Sequence, residues 1–160
     1  LYEGGADAIC VETMTAIDEA SLAIKAAKES TPLEVICTFT FDKTMQGYYR
    51  TMMGVSPEDM IGAVKEAGAD IIGANCGLGI EQMIEVVQAI RETDKTTPVL
   101  VHANAGLPEV IDGKTIFPQT PEIMSAKLQQ LIDAGSNIIG GCCGTTPEHI
   151  RGFASVIRNK

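Results

Sequence analysis

Five short β-rich apolar runs recur along the chain at intervals of about 30 residues. Three of them sit in a repeat: Gly5-Ala6-Asp7-Ala8-Ile9 returns as Gly68-Ala69-Asp70-Ile71-Ile72 and as Gly135-Ser136-Asn137-Ile138-Ile139, at spacings of 63 and 67 residues. Between the copies lie Val35-Ile36-Cys37-Thr38-Phe39 and Val99-Leu100-Val101-His102-Ala103. These runs are continuously apolar rather than alternating, the pattern of strands buried on both faces. Helical spacing fills the gaps over 16–29, 57–67, 81–92, 121–134 and 147–158. Three of these helices open alike, as Ser56-Pro57-Glu58, Thr120-Pro121-Glu122 and Thr146-Pro147-Glu148. A hydroxyl there caps an orphan N–H, proline suits the first helical position, and glutamate favours the positive end of the helix dipole.

The resulting order, β-α five times over, calls for an α/β fold with a parallel sheet. The unit length and the repeat favour a (β/α) barrel over a doubly wound sheet. A complete eight-stranded barrel takes roughly 200 residues or more, whereas this chain has 160. The expectation is one domain over 1–160, the C-terminal five βα units of a (β/α)8 TIM-type barrel, without the first three. The segment 42–56 reads as a long loop and a candidate lid. Its Tyr48-Tyr49 and Met52-Met53 pairs are candidates to line a cofactor face.

Composition narrows the function classes. The formal net charge of -9 argues against nucleic acid and anionic membrane surfaces, which repel a negative field. No run of about 18 apolar residues is present to span a bilayer. The start, LYEGGAD, has no signal-peptide pattern and no initiator Met, so a piece of a longer protein is expected. The cysteines are Cys10, Cys37, Cys76, Cys142 and Cys143. An odd number with two adjacent makes a poor disulfide framework and points to a reducing cytoplasm.

Chemistry in a parallel barrel belongs at the C-terminal ends of the strands. Those ends carry Val11-Glu12-Thr13, Thr40-Phe41-Asp42, Asn75-Cys76-Gly77, Asn104-Ala105-Gly106 and Gly141-Cys142-Cys143-Gly144. Glycines flanking the cysteines let adjacent thiols face one centre. Three thiolates suit zinc, and a three-ligand site keeps the open position of a catalytic metal. Cys76, Cys142 and Cys143 are therefore the expected metal ligands, while Cys10 and Cys37, inside apolar strands, are expected to be buried. Glu12 suits a substrate ammonium group. Thr13 and Thr15 are candidate caps of the next helix, with Asp18 completing a capping box with Thr15. Asn104 is a candidate to bind substrate or lie near the metal, or else to form a local turn. His102 reads as a core or pocket residue, and His149 as local to its helix. Gly77-Leu78-Gly79 before a helix is a weak anion-cradle signal that would suit a phosphate- or flavin-binding barrel.

Together Val11-Glu12-Thr13, Gly73-Ala74-Asn75-Cys76, Asn104-Ala105-Gly106-Leu107-Pro108 and Gly140-Gly141-Cys142-Cys143-Gly144-Thr145 resemble the homocysteine S-methyltransferase family. Met52-Met53-Gly54-Val55-Ser56-Pro57-Glu58 and Thr145-Thr146-Pro147-Glu148-His149-Ile150 are similar to its cobalamin-dependent, methionine-forming branch. The resemblance covers nearly the whole chain. It implies an eight-stranded barrel with zinc on Cys76, Cys142 and Cys143, homocysteine as acceptor, Glu12 at its amino group with Thr13 beside it, and Asn104 next to metal and substrate. It further implies methylcobalamin as donor, with cobalamin- and folate-binding domains elsewhere in the parent protein. Two alternatives stand: a donor such as S-methylmethionine or betaine, or a barrel piece that binds zinc without catalysis.

Overall fold

The computed structural model describes residues 1–158. After a single 3₁₀ turn at Tyr2–Gly4, five βα units follow one another. They are β1 (Ala8–Met14) with α1 (Ile17–Ser30), and β2 (Glu34–Phe39) with α2 (Pro57–Ala67). A short antiparallel ribbon, β3 (Asp42–Lys43) with β4 (Tyr49–Arg50), lies between β2 and α2. Next come β5 (Ile71–Asn75) with α3 (Ile80–Thr93), and β6 (Val99–Ala103). A second ribbon, β7 (Glu109–Ile111) with β8 (Lys114–Ile116), then precedes α4 (Pro121–Asp133). The last unit is β9 (Ile138–Gly141) with α5 (Pro147–Arg158).

The five long strands form one sheet in the order β1-β2-β5-β6-β9, with every neighbouring pair parallel. Strand order therefore follows chain order. A doubly wound sheet would reverse direction at a switch point, whereas unbroken succession is the topology of a barrel wall. One face packs on the helices: Val35, Cys37, Phe39, Ile72, Ala74, Val99 and Val101 interdigitate with Ile24, Met60, Val64, Met83, Val87, Ile90, Met124 and Leu128. The other face is concave. Central strands are buried on this side as well, but the edge strands are not, so Cys10, Glu12 and Ile138 are exposed. This corrects the expectation for Cys10. Its neighbours Ile9 and Val11 face the core, which turns Cys10 onto the uncovered side, while Cys37 is buried as expected.

The caps of Ser56 and Thr120 form as the sequence predicts. The Ser56 side chain accepts the Asp59 N–H in a reciprocal capping box, and Thr120 accepts that of Ile123. Helix α1 departs from expectation. Its N-cap is Ala16 with no side-chain cap, so neither Thr13 nor Thr15 caps it and the Thr15–Asp18 box does not form. Thr15 instead offers its carbonyl to the Thr51 hydroxyl. The segment 42–56 is anchored by its ribbon, with Lys43 and the Tyr49 hydroxyl both bonded to Glu85 of α3. The Asp112-Gly113 turn that joins β7 to β8 has positive φ at both residues, 51° and 73°, the twist a two-residue hairpin favours.

The repeat has a structural role at the N-terminal end of the sheet. Asp70 accepts the Val35 N–H at 2.8 Å, and Asn137 accepts the Val99 N–H at 2.9 Å. The third residue of each of these copies thus ties its strand to the start of the preceding one. Among the described residues no helix is long and apolar enough to cross a membrane.

Asp94, at the end of α3, is 5% exposed. Burial alone would raise its carboxyl, but Lys65, the N–H groups of Thr97 and Thr96, and the Thr97 hydroxyl outweigh that and hold it well below the usual carboxylate range. Such a group stabilises the fold in full above the unfolded carboxylate value of roughly 4, and the contribution is lost as pH falls towards the folded value. Asp94→Ala is expected to cost about 2–3 kcal/mol near neutral pH. In urea unfolding, the gap from wild type should narrow as pH is lowered through about 4.

Candidate metal centre

Strand β5 ends at Asn75, and Cys76 follows with φ +61°, a left-handed conformation uncommon outside glycine. Its N–H donates to the His102 carbonyl at 3.0 Å, and its carbonyl accepts from Leu78 at 2.7 Å. In an extended strand Cys142 and Cys143 would point to opposite faces. Strand β9 stops at Gly141, however, and the chain turns. The Cys142 N–H donates to the Ala103 carbonyl, and the Cys142 carbonyl accepts from the N–H and hydroxyl of Thr145. The Cys143 N–H donates to Asn104 Oδ1 at 3.0 Å, and the Cys143 carbonyl accepts the Ala105 N–H at 2.9 Å. Gly144, at φ +79°, closes the turn against Phe117, whose Cγ would lie only 2.1 Å from a Cβ there.

The three sulfurs then converge. Cys76 Sγ lies 3.8 Å from Cys143 Sγ, Cys142 Sγ lies 4.0 Å from Cys143 Sγ, and all three are within 4.8 Å of one another. A tetrahedral zinc with bonds of about 2.3 Å holds its sulfurs roughly 3.8 Å apart. The donor set and its spacing thus fit a zinc ion. The electrostatics fit as well. Burial, and after it the adjacent Cys76 sulfur, push the Cys142 thiol up to about 11, so three thiolates require a compensating cation. Cys143 is exposed and the other two half-buried, leaving an open side.

Of the remaining candidates, Asn104 adjoins this cluster directly. Asn104 is 4% exposed and grips the backbone of Cys143; it is not a free-standing turn residue. Thr13 is exchanged in two hydrogen bonds with Asn75, its N–H donating to Oδ1 at 2.9 Å and its hydroxyl accepting from Nδ2 at 2.7 Å. Glu12, just before it, is exposed on the concave side. His102 faces the same side, half-buried, with its ring over Gly140. Burial lowers its imidazole against the opposing pull of the Glu12 carboxylate. His102 stands outside the thiol cluster.

Two residues to which the sequence assigned no individual role brace the site. Gln119 gives its N–H to Ala105, accepts the Ile80 N–H on Oε1, and takes the His149 ring on its carbonyl at 2.9 Å. Its carboxamide occupies the start of α3, so Gly77-Leu78-Gly79 is no anion cradle. Asn75 clamps Thr13 and is reached by Thr38 and Thr40. The signal for Asn75 was its place directly before Cys76; Gln119, in a loop, offered none. His149 is local on one side only: its Nδ1 accepts the Thr146 N–H at 3.1 Å, while its Nε2 reaches Gln119, 30 residues away, which the sequence did not foresee.

Comparison with known proteins gives a consistent family. A family model described as homocysteine S-methyltransferase matches residues 1–157. Methionine synthases of Mycobacterium leprae and Mycobacterium tuberculosis are each 31% identical over 165 residues, covering 98% and 99% of this chain. The chain spans 13% of the length of each. Among solved structures, the apo form of the homocysteine methyltransferase MmuM from Escherichia coli has a similar fold, with a TM-score of 0.76 at 20% identity over 98% of this chain and 51% of that one.

Co²⁺ added to the reduced protein is expected to give thiolate-to-cobalt charge-transfer absorption that saturates at about one ion per chain. Gly144→Ala should weaken this binding by about tenfold or more although all three thiols remain, because the new methyl group displaces Phe117 and strains a left-handed residue.

Proposed function

The chain belongs to the homocysteine S-methyltransferase family, and we propose that it forms the homocysteine-binding part of a zinc-dependent enzyme that methylates homocysteine to methionine. The observation that carries this reading is the convergence of Cys76, Cys142 and Cys143 within 4.8 Å at the open rim. A zinc ion held by these three would stabilise the acceptor's sulfur as the thiolate, the nucleophilic form of a group otherwise mostly protonated at neutral pH.

The chain's own residues supply the rest. With zinc bound the three sulfurs would be thiolates, and their negative charge would keep an acceptor thiolate electron-rich. Asn104 holds the backbone of Cys143 and keeps that ligand in place. Glu12 lies on the concave side, where its carboxylate would meet the ammonium group of homocysteine, with Thr13 beside it. Fixing the acceptor at both ends points its sulfur at an incoming methyl group and removes orientational freedom from the transfer. Glu12, Thr13 and Asn104 are proposed as substrate-site residues on this basis.

Methylcobalamin is the proposed donor, presented by another domain, with a folate-binding domain to remethylate it. Support comes from the methionine synthases of which this chain matches only 13%. A reducing cytoplasm suits three free thiols.

In the full-length protein, zinc content near one per chain and homocysteine-dependent methionine formation from methylcobalamin are expected. Cys142→Ser should lose both, with activity falling at least about a thousandfold. Activity retained by that variant would remove the assignment. Turnover with S-methylmethionine or betaine in place of methylcobalamin would keep the acceptor chemistry and replace the donor.

A further inference from the structure

The pairing of β1 with β2 is regular up to Val11↔Cys37 and resumes at Met14↔Phe39. Three steps on β1 therefore match two on β2, and the extra residue falls at Glu12-Thr13. A bulge of this kind bends its strand and re-aims the side chains within it. Here it coincides with strain, since Thr13 has φ +61°, a conformation that a β-branched residue adopts only when its surroundings impose it.

The group that imposes it is the side chain of Asn75. Asn75 is 1% exposed. Its Oδ1 accepts the Thr13 N–H at 2.9 Å and the Thr38 hydroxyl at 2.7 Å, and its Nδ2 donates to Thr13 Oγ1 at 2.7 Å. A backbone N–H can only donate, so the bond from Thr13 settles which end of the amide is oxygen. The Asn75 carbonyl accepts the Thr40 hydroxyl at 2.7 Å. Strand β2 lies between β1 and β5 in the sheet, yet this amide reaches across its face, at Thr38, to grip β1 directly. The next residue along the chain is Cys76, itself left-handed at φ +61°.

We propose that Asn75 is a positioning residue: its amide holds the bulged end of β1, and with it Glu12, at a fixed offset from the thiol of Cys76. The offset would match the span of the acceptor from ammonium to sulfur. The inference rests on the proposed meeting of Glu12 with that ammonium group. It assigns Asn75 no contact with substrate or metal.

The test compares homocysteine with its deamino analogue, which keeps thiol and carboxylate but lacks the ammonium group. In the full-length protein, wild type should favour homocysteine in kcat/KM. Asn75→Ala should reduce that preference by about tenfold or more, mainly through the KM for homocysteine, with zinc content unchanged. Thr38→Val, at a fully buried hydroxyl, should shift it the same way by less, and Thr38→Ser should restore it. The Thr38 pair decides the matter if Asn75→Ala does not fold. Equal losses for both acceptors, an unchanged preference, or loss of zinc from Asn75→Ala would overturn the proposal. Absence of any preference in wild type would instead strike the reading of Glu12, so the two failures are told apart by which protein shows them.

Discussion

The thiol cluster depends on one stretch of backbone, residues 102–105 where β6 ends. His102 and Ala103 offer carbonyls to the N–H groups of Cys76 and Cys142, Asn104 offers its side-chain oxygen to Cys143, and Ala105 donates back to the carbonyl of Cys143. Each bond is worth only about 1 kcal/mol net. Their shared value is geometric. Binding constellations need their parts held within about 0.5 Å, and a thiol can be aimed only as well as the backbone beneath it. Strand β6 stands between β5 and β9, so it grips the thiols on both sides and carries none itself.

Much of this was legible from sequence, for identifiable reasons. Strands and helices in a parallel fold are long, periodic and punctuated by caps, and all ten main elements fall where the pattern puts them. The cysteines were legible because glycines flank them at strand ends. What escaped was the non-local part. Ala16 stands at the head of α1 in place of the expected threonine caps, and the hydroxyl of Thr13 is engaged by Asn75, 62 residues away. Gln119 filled the start of α3 from 39 residues downstream. Cys10 looked like a core residue because hydrophobicity does not say which face of an edge strand is covered. The ribbon β7–β8 was missed although Asp112-Gly113, directly after Val110-Ile111, announces it.

The two ends of the sheet are built differently. At the N-terminal end, Asp70 and Asn137 tie β5 and β9 to the strands before them through one repeated position, and repetition is what made that position visible. At the opposite end nothing repeats. Each strand stops in its own way: a bulge and a left-handed threonine on β1, a left-handed cysteine after β5, an amide after β6, a thiol pair after β9. Identical anchoring below permits individual chemistry above.

All three thiols, and every group that braces their backbones, come from three consecutive strands and the loops that follow them. The thiol cluster is therefore a property of one sector of the sheet rather than of all five strands. Selection can rebuild the far side of the sheet without reopening the problem of how three thiols are brought together.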